Sequence, residues 1–359
     1  MTYPADMKLS RTGRYRSQNL ETWMLSKIML TDPAKHRWMM VTGAPRSGTS
    51  YFGDILALDP KVNSIIEPFN PDAGMPDVTQ RYMYGVSPGT MSELDRGTLE
   101  KLYKYDFKLK TVHSSRDKLA EKVFKTVLFG GNELALLKAR FNRGAEYSLI
   151  KDPIAVFLVE PLYRMRELDC FFLVRHPLSF VGSLKRLGWN FKVHPLSRNR
   201  DLCAMYLPEL VDVDPDTLSW TEHAAYIWLA IGRQLEHLKQ AEIPIIPVFH
   251  EEISADPVAH YRRIYDHLGL EWTPKVSSRI TETSTASGKA GAQSGVVHDF
   301  FRDASYIFDH SVAQLDPEQI DTIARITKPI LDTWYSSADS ASLSDYGRDL
   351  HMSNIRASG

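Results

Sequence analysis

The sequence predicts an α/β domain with a central parallel sheet flanked by helices, and three observations carry that prediction. MMVT at 39–42 is a short apolar run that breaks at Gly43, Pro45 and Gly48 and then passes into the helical spacing of Tyr51, Phe52, Ile55, Leu56 and Leu58. A second continuous apolar run, Phe171 to Val174, ends in Arg175 and is followed by His176, Pro177 and another helical pattern to Leu187. The composition agrees: 359 residues with 43% hydrophobic and 11% aromatic side chains can bury one large core.

Taken in order, residues 1–35 form an N-terminal arm in which Leu20, Trp23, Met24, Ile28 and Met29 predict a short helix over 15–31. That helix packs on the body of the protein or on the partner of a homodimer. Residues 36–335 form a single domain with insertions at about 75–145 and 185–222, and 336–359 form a small, polar, mobile tail. The first strand ends in the loop GAPRSGTS, and the following helix starts near Gly48. The first amides of a helix lack internal partners and its dipole is positive there. Ser47, Gly48, Thr49 and Ser50 therefore offer amides and hydroxyls to a phosphate, and Arg46 adds a charge. The loop lacks the lysine that ATP- and GTP-binding loops place before the final Ser/Thr, because Thr49 stands at that position.

NSII at 63–66 is the next strand, closed by Glu67 and Pro68, and YSLIK at 147–151 ends in Lys151 and Asp152. Arg175 falls at the carboxyl end of its strand, the edge at which open parallel sheets bind ligands, and a guanidinium there suits a phosphate. Ser183 lies eight residues later in the helix. A long helix is predicted from about Ser219 to Gln240, and a last one from Asp316 as N-cap to Tyr335.

The loop with its internal Arg46 and Gly-Thr-Ser, followed roughly 130 residues later by Arg175 and Ser183, resembles the sulfotransferases that use 3′-phosphoadenosine 5′-phosphosulfate. Glu67-Pro68 and the segment 243–274 resemble the carbohydrate sulfotransferases of the Golgi type and their bacterial relatives, and the likeness spans about residues 37–335. It implies a P-loop NTPase-like fold and that nucleotide as donor, with no metal. It also implies a carbohydrate or glycoconjugate hydroxyl as the acceptor. By the resemblance, Arg46, Ser47, Gly48, Thr49 and Ser50 hold the 5′-phosphosulfate, and Arg175 and Ser183 hold the 3′-phosphate. The loop that closes over the nucleotide is not easily matched; SGKAGAQSG at 287–295, with Lys289, is its expected position. Glu67 is the expected general base, its alternative being a cap or an ion pair with Arg46 or Lys151. His113, unless it is a surface histidine, and Asp152 compete for the role of base, and Lys151 either stabilises the bridging oxygen or is a solvated strand end. Two rivals stay open: a P-loop kinase and a noncatalytic nucleotide-binding protein.

Other features bound the reading. A net charge of −1 does not point to nucleic acid or a membrane surface. Cys170 and Cys203 cannot form a disulfide framework, and no apolar run approaches the ~20 residues of a membrane span, so a cytoplasmic enzyme is expected. His250, Glu251 and Glu252 lack zinc-type spacing and read as a structural turn. Residues 185–200 carry Lys185, Arg186, Lys192, His194, Arg198 and Arg200 without an acid. That stretch either steers an anionic acceptor, with Trp189 or Trp220 stacking on a sugar, or is a solvated loop or a contribution to the nucleotide's own charge.

Overall fold

A computed structural model describes residues 29–82, 93–110, 131–285 and 310–335. The expected arm helix, apart from its last three residues, and the polar tail lie outside them. Five strands form the sheet: β1 (Arg37–Gly43), β2 (Val62–Ile66), β3 (Tyr147–Lys151), β4 (Leu168–Val174) and β5 (Ile245–Phe249). All neighbours pair in parallel, in the order β2-β3-β1-β4-β5. The described helices are α1 (Thr49–Leu56), α2 (Glu93–Tyr103), α3 (Gly131–Phe141), α4 (Val159–Met165), α5 (Pro177–Arg186), α6 (His194–Ser197), α7 (Arg200–Tyr206), α8 (Trp220–Gln240), α9 (His250–Ala255), α10 (Pro257–Leu268), α11 (Pro274–Thr285) and α12 (Pro317–Trp334).

The strands read as unbroken apolar runs because both faces of the sheet are covered. Met39, Val41, Leu149, Phe171 and Leu173 pack under Phe52, Ile55 and Leu56 of α1 and under Tyr261, Tyr265 and Ile280 of α10 and α11. Alternate residues Trp38, Met40, Ile150, Cys170 and Phe172 face the other way, toward Phe180, Val181 and Leu184 of α5 and the apolar sides of α8 and α12. Consequently the chain leaves β1 toward one face and β4 toward the other. Between two neighbouring strands whose exits diverge lies the crevice in which doubly wound sheets bind ligands.

Local chemistry fixes the helix ends. Ser219 with Glu222 and Asp316 with Gln319 form reciprocal capping boxes on α8 and α12. Pro177 opens α5 behind His176, whose Nδ1 accepts from the Leu178 amide. After β2, residues 67–82 are turns and extended chain, and the described part of the expected insertion at 75–145 also carries helices α2 and α3. Pro68, Pro71 and Pro76, with Gly74 between them, break any helical run there. Among the described residues, no helix is long and apolar enough to cross a membrane.

Candidate active site

The loop after β1 is shaped by contact with β4. At Gly43 (φ 129°) a Cβ would lie 2.1 Å from the Leu173 carbonyl oxygen, so no side chain fits. The Ala44 amide then donates to that same carbonyl at 3.0 Å, and the buried Ser47 hydroxyl donates to Ala44 and Leu173 carbonyls. Ser47 therefore holds the loop's shape, while its amide donates to Ala44 O at 3.2 Å. Arg46 is left-handed (φ 68°) and Gly48 caps α1 at φ 93° without a side-chain bond. The amides of Thr49 and Ser50 open α1, with Thr49 buried and Ser50 half-buried.

Arg175 joins this loop from β4. Its side chain, 4% exposed, donates from Nη1 to the Arg46 carbonyl at 2.8 Å, from Nε to Ser179 Oγ at 2.8 Å and from Nη2 to Ser311 Oγ at 3.2 Å. Three of its five N–H hydrogens are thus donated among the described residues, which leaves two for an anion. Ser183 sits inside α5, 1% exposed, and its hydroxyl has no hydrogen-bond partner among the described residues. A buried hydroxyl in that state costs free energy until something hydrogen-bonds to it. Burial lowers the guanidinium of Arg175 to about 10; Glu251 opposes this, and Arg46 and Arg186 add to it. Burial and then Arg186 bring Arg46 likewise to about 10. Both stay charged at neutral pH, so three guanidinium groups repel one another across one crevice. An anion there relieves that repulsion.

Arg186 belongs to the basic stretch whose three readings the sequence leaves open, and its charge on Arg46 and Arg175 favours the nucleotide; His250, by contrast, reads from sequence as part of a structural turn. His250 opens α9 directly after β5, and its Nδ1 lies 3.8 Å from where a Cβ on Gly48 would stand. Burial, followed by the charges of Arg175 and Arg46, holds it well below the ordinary histidine range, so a neutral imidazole borders the loop. The signal was present: His250 is the first residue past the carboxyl end of a strand, the same placement that marked Arg175. Glu251 does behave structurally, accepting from the His176 amide at 2.9 Å.

A second cluster lies at the ends of β2 and β3. Glu67 is left-handed (φ 49°), with its side chain 27% exposed. Its Oε2 accepts from Asn70 Nδ2 at 2.8 Å, and its Oε1 lies 3.5 Å from Lys151 Nζ. The ion pair weighed from sequence is therefore present, with Lys151 as its partner. The Lys151 stem passes α1 at Gly53, where a Cβ would stand 2.6 Å from Lys151 Cγ. Asp152 has no exposed surface, and its two oxygens accept from the amides of Phe69 (2.8 Å) and Ile154 (2.9 Å). Burial first, then Glu67, raises its carboxyl to about 7. Through those two amides it braces the chain after β3. His113 and Lys289 lie outside the described residues.

The basic stretch at 185–200 acquires partners from elsewhere in the chain. His194 Nε2 pairs with Asp216 at 2.9 Å, and Lys185 donates to Gln319 at 2.6 Å with Asp316 at 4.0 Å. Trp189 lies under Arg46, and Trp220 Nε1 donates to the Trp189 carbonyl at 3.0 Å.

Residues 39–274, which carry the glycine loop, Glu67, Lys151, Arg175 and Ser183, match the profile of the Sulfotransferase family. The chain belongs to that family. As a sulfotransferase it is an enzyme of sulfuryl transfer, for which the family implies 3′-phosphoadenosine 5′-phosphosulfate as donor. Among solved structures, the chain is similar to sulfotransferase STF9 from Mycobacterium avium (15% identity, 84% of this chain and 77% of that one, TM-score 0.40). It is also similar to mouse sulfotransferase SULT7A1 complexed with PAP (13% identity, 90% and 94%, TM-score 0.37). A third is the sulfotransferase domain of the Synechococcus PCC 7002 olefin synthase (14% identity, 88% and 95%, TM-score 0.34). No curated protein sequence matches the chain significantly.

Proposed function

We propose that this sulfotransferase moves the sulfuryl group of 3′-phosphoadenosine 5′-phosphosulfate to a hydroxyl of a carbohydrate or glycoconjugate, with Glu67 as general base. The observation that carries the reading is the bond from Arg175 Nη1 to the Arg46 carbonyl, which makes one site of two motifs 129 residues apart. The buried Ser183 hydroxyl, on the helix that follows Arg175 and without a partner among the described residues, supports a 3′-phosphate held by Ser183 and the remaining Arg175 N–H groups. Arg46 and the amides of Gly48 to Ser50 then serve the 5′ end, the Ser47 amide being taken by Ala44.

In the transfer, the acceptor oxygen forms a bond to sulfur while the bond between sulfur and the 5′-phosphate oxygen breaks. The electron pair leaves with that oxygen, where the α1 amides and Arg46 stabilise the charge. The acceptor proton passes to Glu67, whose carboxylate is aimed by Asn70 and partly exposed. Lys151, paired with Glu67 at the end of β3, supplies a cation to the bridging oxygen. Apart from the proton that Glu67 takes up, no residue of the chain gains or loses a covalent bond.

The experiment is transfer from radiolabelled donor to a panel of glycan, phenol and amine acceptors, with wild type and Glu67→Gln compared on the acceptor that is labelled. The expected loss is ~100- to 10,000-fold in kcat with the affinity for 3′-phosphoadenosine 5′-phosphate retained. Undiminished transfer by Glu67→Gln removes Glu67 as base, and labelling confined to phenols or amines removes the carbohydrate acceptor.

A further inference from the structure

The α5 helix serves the site twice. It follows Arg175, carries Ser183, and ends at Arg186 in a left-handed reversal at Gly188 (φ 64°). The Gly188 amide donates to the Lys185 carbonyl at 3.0 Å, and the Trp189 amide reaches back to the Leu184 carbonyl at 3.0 Å. This pattern satisfies the last carbonyls of a helix and turns the chain back across its end. Trp220, at the start of α8, then fixes the Trp189 carbonyl through its indole N–H at 3.0 Å.

With its backbone held on both sides, the Trp189 ring lies against the loop. The Arg46 guanidinium carbon is 5.5 Å from the ring centroid, within the range in which a cation is drawn to an aromatic face. The same ring lies nearly parallel to Phe191, with centroids 5.7 Å apart and planes inclined by 22°. The Arg46 backbone is fixed separately, by Arg175 on its carbonyl. A long arginine side chain otherwise loses considerable rotamer entropy when it is held in one place.

We infer that Trp189 is a positioning residue for the donor: its ring fixes the Arg46 guanidinium in the orientation that meets the 5′ end of the nucleotide. The inference rests on the donor-binding reading above. It differs from a role for Trp189 in the acceptor site, because it acts before any acceptor arrives. It also assigns to α5 both ends of the donor, Ser183 directly and Arg46 through Trp189.

Calorimetric titration of two nucleotides tests it: 3′-phosphoadenosine 5′-phosphate, and adenosine 3′-monophosphate, which lacks the 5′ group. Trp189→Leu is expected to weaken the bisphosphate about tenfold and the monophosphate less than about twofold. Trp189→Phe, which keeps an aromatic face, is expected to recover most of the loss. Should the leucine variant not fold, Trp220→Phe removes the bond to the Trp189 carbonyl, and about a threefold loss confined to the bisphosphate is expected. Equal weakening of both nucleotides, no weakening of the bisphosphate, or a phenylalanine variant as impaired as leucine overturns the inference. A wild type that binds neither nucleotide refutes the donor reading itself, and this inference with it.

Discussion

Replacing Ser183 by alanine should change the free protein and its complex in opposite directions. The hydroxyl is 1% exposed and has no partner among the described residues, and an unpaired buried hydroxyl costs about 1–3 kcal/mol. Taking the low end, Ser183→Ala stabilises the free fold by about 1 kcal/mol. At ~2.1 cal/mol/K per residue over 359 residues, the unfolding entropy is roughly 0.75 kcal/mol/K, so Tm should rise about 1–2 °C. In the complex the same hydroxyl meets a charged phosphate, an interaction of about 1.5–3 kcal/mol, so affinity for 3′-phosphoadenosine 5′-phosphate should fall roughly 10- to 150-fold. Differential scanning fluorimetry measures the first and titration calorimetry the second. A variant with lowered Tm and unchanged affinity refutes the reasoning, since the hydroxyl would then serve only the fold.

Other consequences can be read from the same contacts. Gly53→Ala places a Cβ 2.6 Å from Lys151 Cγ; the flexible lysine gives way, and kcat should fall about 10- to 100-fold with nucleotide affinity within about twofold. Unchanged turnover would show that the placement of Lys151 is immaterial. At left-handed Glu67, Glu67→Gly should be more stable than Glu67→Ala by about 1 kcal/mol in urea unfolding, with both inactive. Equal stability would count against backbone strain there. His176 is held at about 4 by burial, below the ordinary value of 6.5, so the unfolded chain binds the extra proton between those pH values. Its contribution to stability is therefore full above about 6.5 and is lost as pH falls toward 4. His176→Asn, which retains a capping side chain, should flatten that acid limb in unfolding measurements at stepped pH; an unchanged limb contradicts it.

The strands and the glycine loop were legible because each is a local pattern: an apolar run buried on both faces, a turn that needs Gly43, and a helix opened by capping chemistry. Arg46 and Arg175 stood out for the same reason, each at or shortly after a strand's end, whereas Ser183, inside a helix, was picked out only by the family resemblance. What escaped was set by packing between distant segments. Ser311 meets Arg175 across 136 residues, and no spacing announces it. Arg186 stood in a basic run with several readings, and only the folded chain sets its charge on both Arg46 and Arg175. His194 and Lys185 in that run are met by Asp216, Asp316 and Gln319 from later in the chain, so the run's bare charge overstated what it offers an acceptor. The turns after Glu67 have a local signal in their three prolines.

The account stands most directly on what the crevice between β1 and β4 binds. Thermal-shift titrations with 3′-phosphoadenosine 5′-phosphate, ADP and magnesium-ATP compare a nucleotide charged at both ends with two charged only at the 5′ end. Binding to the native state raises its stability with ligand concentration. The account predicts a concentration-dependent rise in Tm with the first that exceeds both others, and its loss in Arg175→Ala. A rise with magnesium-ATP and none with 3′-phosphoadenosine 5′-phosphate would contradict it.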